Sequence, residues 1–311
     1  MRILVVGAGA VGGYFGGRLV QAGRDVTFLV RPARAAQLKD AGLVIRSPHG
    51  DATPRDVKTV LADGITGPFD VVLLSCKAYH LDDAIASFAP AVGPNTAILP
   101  LLNGMRHIDV LTQKFSAERV LGGQCVIAAT LNAAREIVHL NDMHAMSFGE
   151  LAGGSSERVR AIAAQLEGAG FDARPADNVL QQMWEKWVFL ASLAASTCLY
   201  RASVGDILAT PDGRKLIEGI LAEARAVSAH NGHPVGDAFE GRANTVLFTE
   251  GSPMTASMMR DVENHAPTEA DHILGDLIAR GGDAQHGDAL SLLRIAYSHL
   301  KAYATREARG A

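Results

Sequence analysis

"ILVVGAGAVGGYFGGRLV", residues 3–20, holds the decision about the fold. Ile3-Leu4-Val5-Val6 is a short, largely β-branched run of the kind buried on both faces in a parallel sheet. Gly7-Ala8-Gly9-Ala10-Val11-Gly12 follows without a spacer, and Tyr14, Phe15, Leu19 and Val20 then recur at helical spacing. Strand, G-x-G-x-x-G and helix, in this order, form a dinucleotide-binding turn. Gly7 permits the tight turn, Gly9 lets the backbone approach a pyrophosphate, and Gly12 lets the helix pack close to the strand. Free amides at the helix start attract the negative charge. The same glycines argue against the competing readings. A secretion signal needs a continuous apolar core, and a membrane span needs about 20 mostly apolar residues. Here the apolar run ends at Gly7, and Arg18 follows the glycines. No later run is long enough to span, so a soluble, cytoplasmic protein with no membrane role is expected.

Outward from this turn, the next strand, Val26 to Val30, ends in Arg31, with Arg34 close behind. A site for NAD carries an acid here for the ribose hydroxyls, whereas arginine suits the 2′-phosphate of NADP(H). Arg31 is therefore a candidate NADP(H) contact, the bland alternative being a solvated loop arginine. Further strands, Asp70 to Leu74 and Ala97 to Leu102, run into Lys77 and Asn103. In an open α/β sheet, ligands bind beyond the carboxyl ends of such strands. Alone, Lys77 reads as a surface lysine and Asn103 as a turn residue ahead of Gly104. Together they are candidate cofactor or substrate contacts. Short strands are expected over 124–130, 137–140 and 145–148, then a helix over 155–168 and a last strand over 171–174. His139 and His144 fall in this stretch, but no neighbouring Cys or acid completes a site, so no metal is expected. Pro175-Ala176-Asp177-Asn178 reads as the linker, dividing a domain of residues 1–177 from one of residues 178–311.

Composition supports two globular domains: 311 residues, 48% apolar and 20% charged. A net charge of −4 with no long basic run argues against nucleic acid as a partner. Cys76, Cys125 and Cys198 are scattered and odd in number, which fits a reducing compartment without a disulfide framework. After Asn178 the strand signals stop. Helical patterns cover Val179–Tyr200, 211–230, 253–264, 269–280 and 288–306. His230-Asn231-Gly232-His233-Pro234 reads as a helix stop rather than a metal cluster. The expected fold is an α/β Rossmann-type N-terminal domain followed by an all-α C-terminal domain. An apolar helical domain also leaves room for a homodimer interface.

Within the helical domain, "WEKWVFLASLAASTCLY", residues 184–200, is apolar almost all round, with Lys186 its sole cation. Lys186 at the first turn can extend its head to water. The functional reading is preferred because desolvation brings a lysine ammonium toward the range useful for proton transfer. In "TASMMRDVENHAPTEADHIL", residues 255–274, Glu269 follows Pro267-Thr268, and it also reads as an acid complementing a helix start. Ser257 and Asp261 sit one turn apart. The residue pattern alone leaves Glu269, Asp261 and Glu263 equally open as the acid that works with Lys186.

In this order, the set Gly7-Ala8-Gly9-Ala10-Val11-Gly12, Arg31, Cys76-Lys77-Ala78, Asn103-Gly104-Met105, Trp184-Glu185-Lys186, Ser257-Met258-Met259-Arg260-Asp261 and Thr268-Glu269 resembles the ketopantoate reductase (2-dehydropantoate 2-reductase) family nearly end to end. The resemblance implies reduction of a small 2-keto acid by NADPH, with ketopantoate in pantothenate biosynthesis as the default substrate. It implies that Lys186 donates the proton to the carbonyl oxygen and that Glu269 supports it. It also implies that Asn103 and Ser257 hold substrate and that Lys77 lines the cofactor–substrate cleft. One departure is local. The family carries asparagines one and two turns after the lysine, where this chain has Leu190 and Ala194. These are substrate-facing positions in the family, so a hydroxylated substrate tail loses two amides here. Ser192, Ser196 and Thr197 are candidate partial substitutes. A further departure is His80, which stands where the family has glutamine after the Lys-Ala-aromatic stretch. The alternatives are a paralogue acting on a more apolar 2-keto or 2-hydroxy acid, and a non-catalytic NADP(H) sensor.

Overall fold

The structure is a computed structural model that describes residues 1–286 and 289–310. The chain divides into two compact units: Met1–Leu102 with His107–Leu180, and Asn103–Arg106 with Gln181–Ala311.

The first unit runs β1 (Arg2–Val6), α1 (Ala10–Gln21), β2 (Asp25–Leu29), α2 (Pro32–Ala41), β3 (Ile45–Arg46), β4 (Lys58–Val60), β5 (Val71–Leu74), α3 (Leu81–Phe88), β6 (Ala97–Pro100), α4 (Arg106–Phe115), β7 (Leu121–Leu131), β8 (Ile137–Glu150), α5 (Glu157–Leu166) and β9 (Asp172–Pro175). A parallel sheet has the order β4-β2-β1-β5-β6. Its central strand carries Ile3 to Val6, all buried, which is why that run lacks polar alternation. A second sheet is built on the antiparallel pair β7–β8, with β3 and β9 each parallel to β8.

The glycines of α1 explain how both sheets are held. A Cβ on Gly16 would stand 2.7 Å from the Phe28 ring, on the parallel-sheet side. One on Gly13 would stand 2.5 Å from Ile137, and one on Gly17 2.7 Å from Ile45, on the side of the second sheet. The helix is thus clasped closely on two faces, and Gly13, Gly16 and Gly17 are packing residues.

The second sheet departs from the expected short strands. Strands expected over 137–140 and 145–148 are one strand, β8, and the strand expected over 124–130 extends to Leu121–Leu131. Asn141 and Asp142, which lie between the two expected strands, stay in β8. The pairing passes from Ile127–His144 to Ala129–His139, so β8 bulges between them. The Asn141 Oδ1 accepts from the Ala128 amide at 3.2 Å and mends the ladder there.

The second unit holds α6 (Val179–Tyr200, entered from the first unit), α7 (Val204–Leu208), α8 (Gly213–His230), α9 (Asp237–Leu247), α10 (Ser257–Glu263), a π-helical turn (Asp271–Gly275), α11 (Asp276–Ala279), α12 (Asp283–His286) and α13 (Leu292–Ala308). The long apolar helix has the bounds expected of it. The helix expected over 253–264 is trimmed to Ser257–Glu263, and that over 269–280 is broken into the π turn and α11. The first residue of the last expected helix, Asp288, lies outside the described residues. The helix itself starts after Ser291, whose hydroxyl accepts from the Arg294 amide. Helix α9 carries a weak sequence signal, because Gly241, Asn244 and Thr245 are weak helix formers. Burial of Phe239, Ala243 and Leu247 along one face stabilises it instead. Among the described residues no helix is long and apolar enough to cross a membrane, and no disulfide joins the three cysteines. Burial pushes the Cys198 thiol up to about 12, so it is inert.

Candidate functional site

The first unit gathers its candidates around the start of α1. Gly7 has φ +92°, a value that an L side chain resists. Its amide donates to the Leu29 carbonyl at 2.9 Å, so the turn is tied to the end of β2. A Cβ on Gly12 would lie 2.5 Å from the Gly7 carbonyl oxygen and crowd Ser75 and Val5. Gly12 therefore sets the approach of helix to strand. A Cβ on Gly9 would meet nothing within 4 Å. Gly9 is the N-cap residue and makes no side-chain cap, so the first amides of α1, from Ala10 and Val11 onward, are donors without an intrahelical acceptor. Open space over a helix start with free amides fits an anionic phosphate.

Two arginines follow β2 and behave differently. Arg31, at the N-cap of α2, is exposed and stands 3.9 Å from the Asp83 carboxylate, a loose contact that leaves it available. Arg34 is buried. Its Nε donates to the Ala8 carbonyl at 3.1 Å, and its Nη1 donates to the Arg135 carbonyl at 3.0 Å and to Gln37 Oε1. Burial, with the nearby Arg135 charge, lowers its pKa to about 10. Its Nη2 is buried with no hydrogen-bond partner among the described residues. Arg34 thus clamps the glycine-rich loop itself, a role that proximity to Arg31 in sequence did not reveal. Lys77 is half-buried at the end of β5, ahead of a 3-10 turn over Ala78–His80.

The second unit gathers the remaining candidates around the π turn. Gly104, next to Asn103, has φ +79°, and a Cβ there would stand 3.0 Å from both the ring and the carbonyl oxygen of His272. The Asn103–Gly104 turn thus lies against the segment that Glu269 opens. The Glu269 carbonyl accepts from the His272 and Ile273 amides at 3.0 and 2.9 Å. The Ile273 carbonyl in turn accepts from the Trp187 indole at 2.9 Å. This bond joins the π turn to the helix residue after Lys186. Single π-helical turns occur frequently at functional sites. Burial lowers the His272 pKa, against opposing pulls from Glu269 and Asp276. Sequence reasoning passed over His272; its buried position against a backbone turn has no local signal.

Lys186 and Glu269 are both half-buried, as is Leu190, while Ala194 is fully buried. Ser257 is exposed at the first turn of α10, and that turn is tied to α6 by the Ala256 amide donating to Thr197 Oγ1 at 3.3 Å. Ser192, Ser196 and Thr197 do not replace the missing amides. Their hydroxyls are fully buried and donate to the carbonyls of Val188, Ser192 and Leu193 at 2.8, 2.8 and 2.7 Å.

Comparison with known proteins fits this picture. The family model described as "Ketopantoate reductase PanE/ApbA" matches residues 3–153, and its companion, "Ketopantoate reductase PanE/ApbA C terminal", matches residues 178–304. An uncharacterized oxidoreductase of Bacillus subtilis, YkpB, is 39% identical over 303 residues, covering 97% of this chain and 99% of its own. The crystal structure of 2-dehydropantoate 2-reductase from Methylococcus capsulatus superposes with a TM-score of 0.86 at 30% identity, covering 99% and 98% of the two chains. A D-mandelate dehydrogenase solved with NADH and anilino(oxo)acetate shares the fold, with a TM-score of 0.85 at 22% identity and 99% of each chain covered. Parallel-sheet unit, helical unit and end-to-end similarity agree: the chain belongs to the ketopantoate reductase family and is an oxidoreductase acting on CH–OH groups.

Proposed function

We propose that the protein reduces a 2-keto acid to the 2-hydroxy acid with NADPH, and that its substrate has a less hydroxylated tail than ketopantoate. NADPH, when bound, supplies the hydride. The glycine-rich loop holds the pyrophosphate: Gly9 leaves room above the backbone, and the first amides of α1, from Ala10 and Val11 onward, are donors. Arg31, exposed and only loosely paired with Asp83, takes the 2′-phosphate, and the residues that directly follow β2 include no acid. Lys77 and Asn103 stand after β5 and β6 to contact cofactor or substrate. Lys186 protonates the carbonyl oxygen, whose growing negative charge the ammonium stabilises beforehand. Glu269 orients Lys186 and substrate, and Ser257 holds the carboxylate end. The observation that carries the reading is the coupling of Asn103, Glu269 and the Lys186 helix through one buried π turn, by way of Gly104, His272 and Trp187.

The shift away from ketopantoate rests on Leu190 and Ala194. Neither offers a donor, and the neighbouring hydroxyls are engaged inside the helix. The test is NADPH consumption across 2-keto acids graded by tail polarity, repeated with Lys186→Ala. Turnover that favours apolar tails, and is lost in Lys186→Ala while NADPH still binds, is expected. Preference for ketopantoate overturns the substrate assignment, and full activity in Lys186→Ala overturns the proton donor.

A further inference from the structure

A group of imidazoles in the first unit has no part in the reductase reading. His139 and His144 are five residues apart on β8, an odd spacing that sends side chains to opposite faces of a regular strand. The bulge between their two pairing positions cancels that alternation. Their rings lie 5.7 Å apart at 26°. His49, from the turn after β3, stacks on His144 at 3.8 Å and 16°, and stands 5.7 Å from His139. One ring nitrogen from each of the three lies within 4.8 Å of the others.

We propose that His49, His139 and His144 form a binding site for a late first-row divalent metal ion of the Zn(II) class. The outer nitrogens are already anchored as in histidine metal sites, where the second ring nitrogen donates to a fixed oxygen. The His49 Nε2–H donates to the Asp142 carbonyl at 2.9 Å, and the His139 Nε2–H donates to the Met143 carbonyl at 3.0 Å. A carbonyl only accepts, so each ring keeps its lone pair on Nδ1. With the His144 Nδ1–H donating to the Tyr14 hydroxyl oxygen at 2.7 Å, Nε2 keeps the lone pair of the third ring. The Ser47 hydroxyl, 3.0 Å from His139 Nδ1, is the group that the ion displaces.

The turn that bears His49 is fixed in advance. The Arg18 guanidinium, from α1, donates to the Gly50 carbonyl at 2.7 Å, and the Ser47 amide donates to Asp51 at 3.0 Å. Buried Tyr14 and His139 form the floor, while exposed His49 gives the ion its entry. Three imidazoles with no thiolate or carboxylate suit Zn, Co, Ni or Cu rather than Mg or Ca. A tetrahedral ion keeps a fourth position for water. Binding would clamp the β3 turn, α1 and the β7–β8 hairpin together.

The test is titration of the chelator-treated, full-length protein with Co(II) alone, read by visible absorption and by thermal melting. One equivalent per chain is expected, with d–d bands, no thiolate charge-transfer band and a raised melting temperature. His49→Ala and His144→Gln are each expected to weaken binding more than about 10-fold. The exposed His49 is replaceable without loss of fold, so metal-free His49→Ala should melt as the parent does. His265→Ala, at an exposed histidine of the second unit, should bind normally. Absence of saturable uptake at millimolar Co(II), undiminished binding in His49→Ala, or a thiolate band placing the ion on a cysteine would each overturn the site.

Discussion

Gly9 and Gly12 stand three residues apart in one motif, and single-residue replacement should separate their roles. Gly12 is enclosed by backbone and by Ser75 and Val5, so Gly12→Ala forces the helix off the strand. Overpacking of that kind costs about 1–3 kcal/mol, and a fall in the urea midpoint would register it. Gly9 has an ordinary φ of −83° and open space, so Gly9→Ala should leave stability within about 0.5 kcal/mol of the parent. Its effect should appear in NADPH affinity, since the methyl group fills the room a pyrophosphate uses. Equal stability losses in the two variants would contradict this division. Arg31→Asp should weaken NADPH binding much more than NADH binding, measured by fluorescence titration of both. Parallel losses would move the 2′-phosphate contact elsewhere.

Helix α6 shows the same logic at the scale of an element. Its apolar sequence is visible from end to end, and every residue from Ala191 to Cys198 is buried. Ser192, Ser196 and Thr197 satisfy their hydroxyls by bonding back one turn. Ser196→Ala should therefore leave kcat/KM for any 2-keto acid unchanged. Leu190→Asn is different, because Leu190 is half-buried and one turn beyond Lys186. It should raise kcat/KM for ketopantoate by up to about tenfold, the worth of one added hydrogen bond. A rise for apolar and polar substrates alike would show that residue 190 does not contact the tail. At Ala194, fully buried, an asparagine would be paid for in stability, so the single Leu190→Asn change is the cleaner measurement.

At the scale of the whole molecule, the second unit should be acid-sensitive. Burial lowers the pKa of His272, His233 and His299 below the usual 6.5. Arg106 and Arg280 press His272 the same way, while Glu269 and Asp276 oppose them. The unfolded chain then binds more protons than the folded one below pH 6.5, so stability is full above that value and falls as pH drops through the folded pKa values. Melting temperatures measured in chelator should fall between pH 7 and pH 5, before the carboxylates titrate. A flat profile over that window would count against it. Much of this architecture is legible in the sequence: the β-branched run, the glycine spacing and the unbroken apolar helix are local patterns tied to local geometry, and they determine the glycine-rich turn, the parallel sheet and α6. The acid left open among Glu269, Asp261 and Glu263 had no such pattern. Neither did the Arg34 clamp on Ala8, the packing of His272 on Gly104, nor the meeting of His49 with His139 and His144. Each depends on chain segments distant in sequence, or on a bulge that reverses strand alternation. Only the tertiary structure fixes those, because the energies that select them come from packing between elements rather than from the residues' own neighbours.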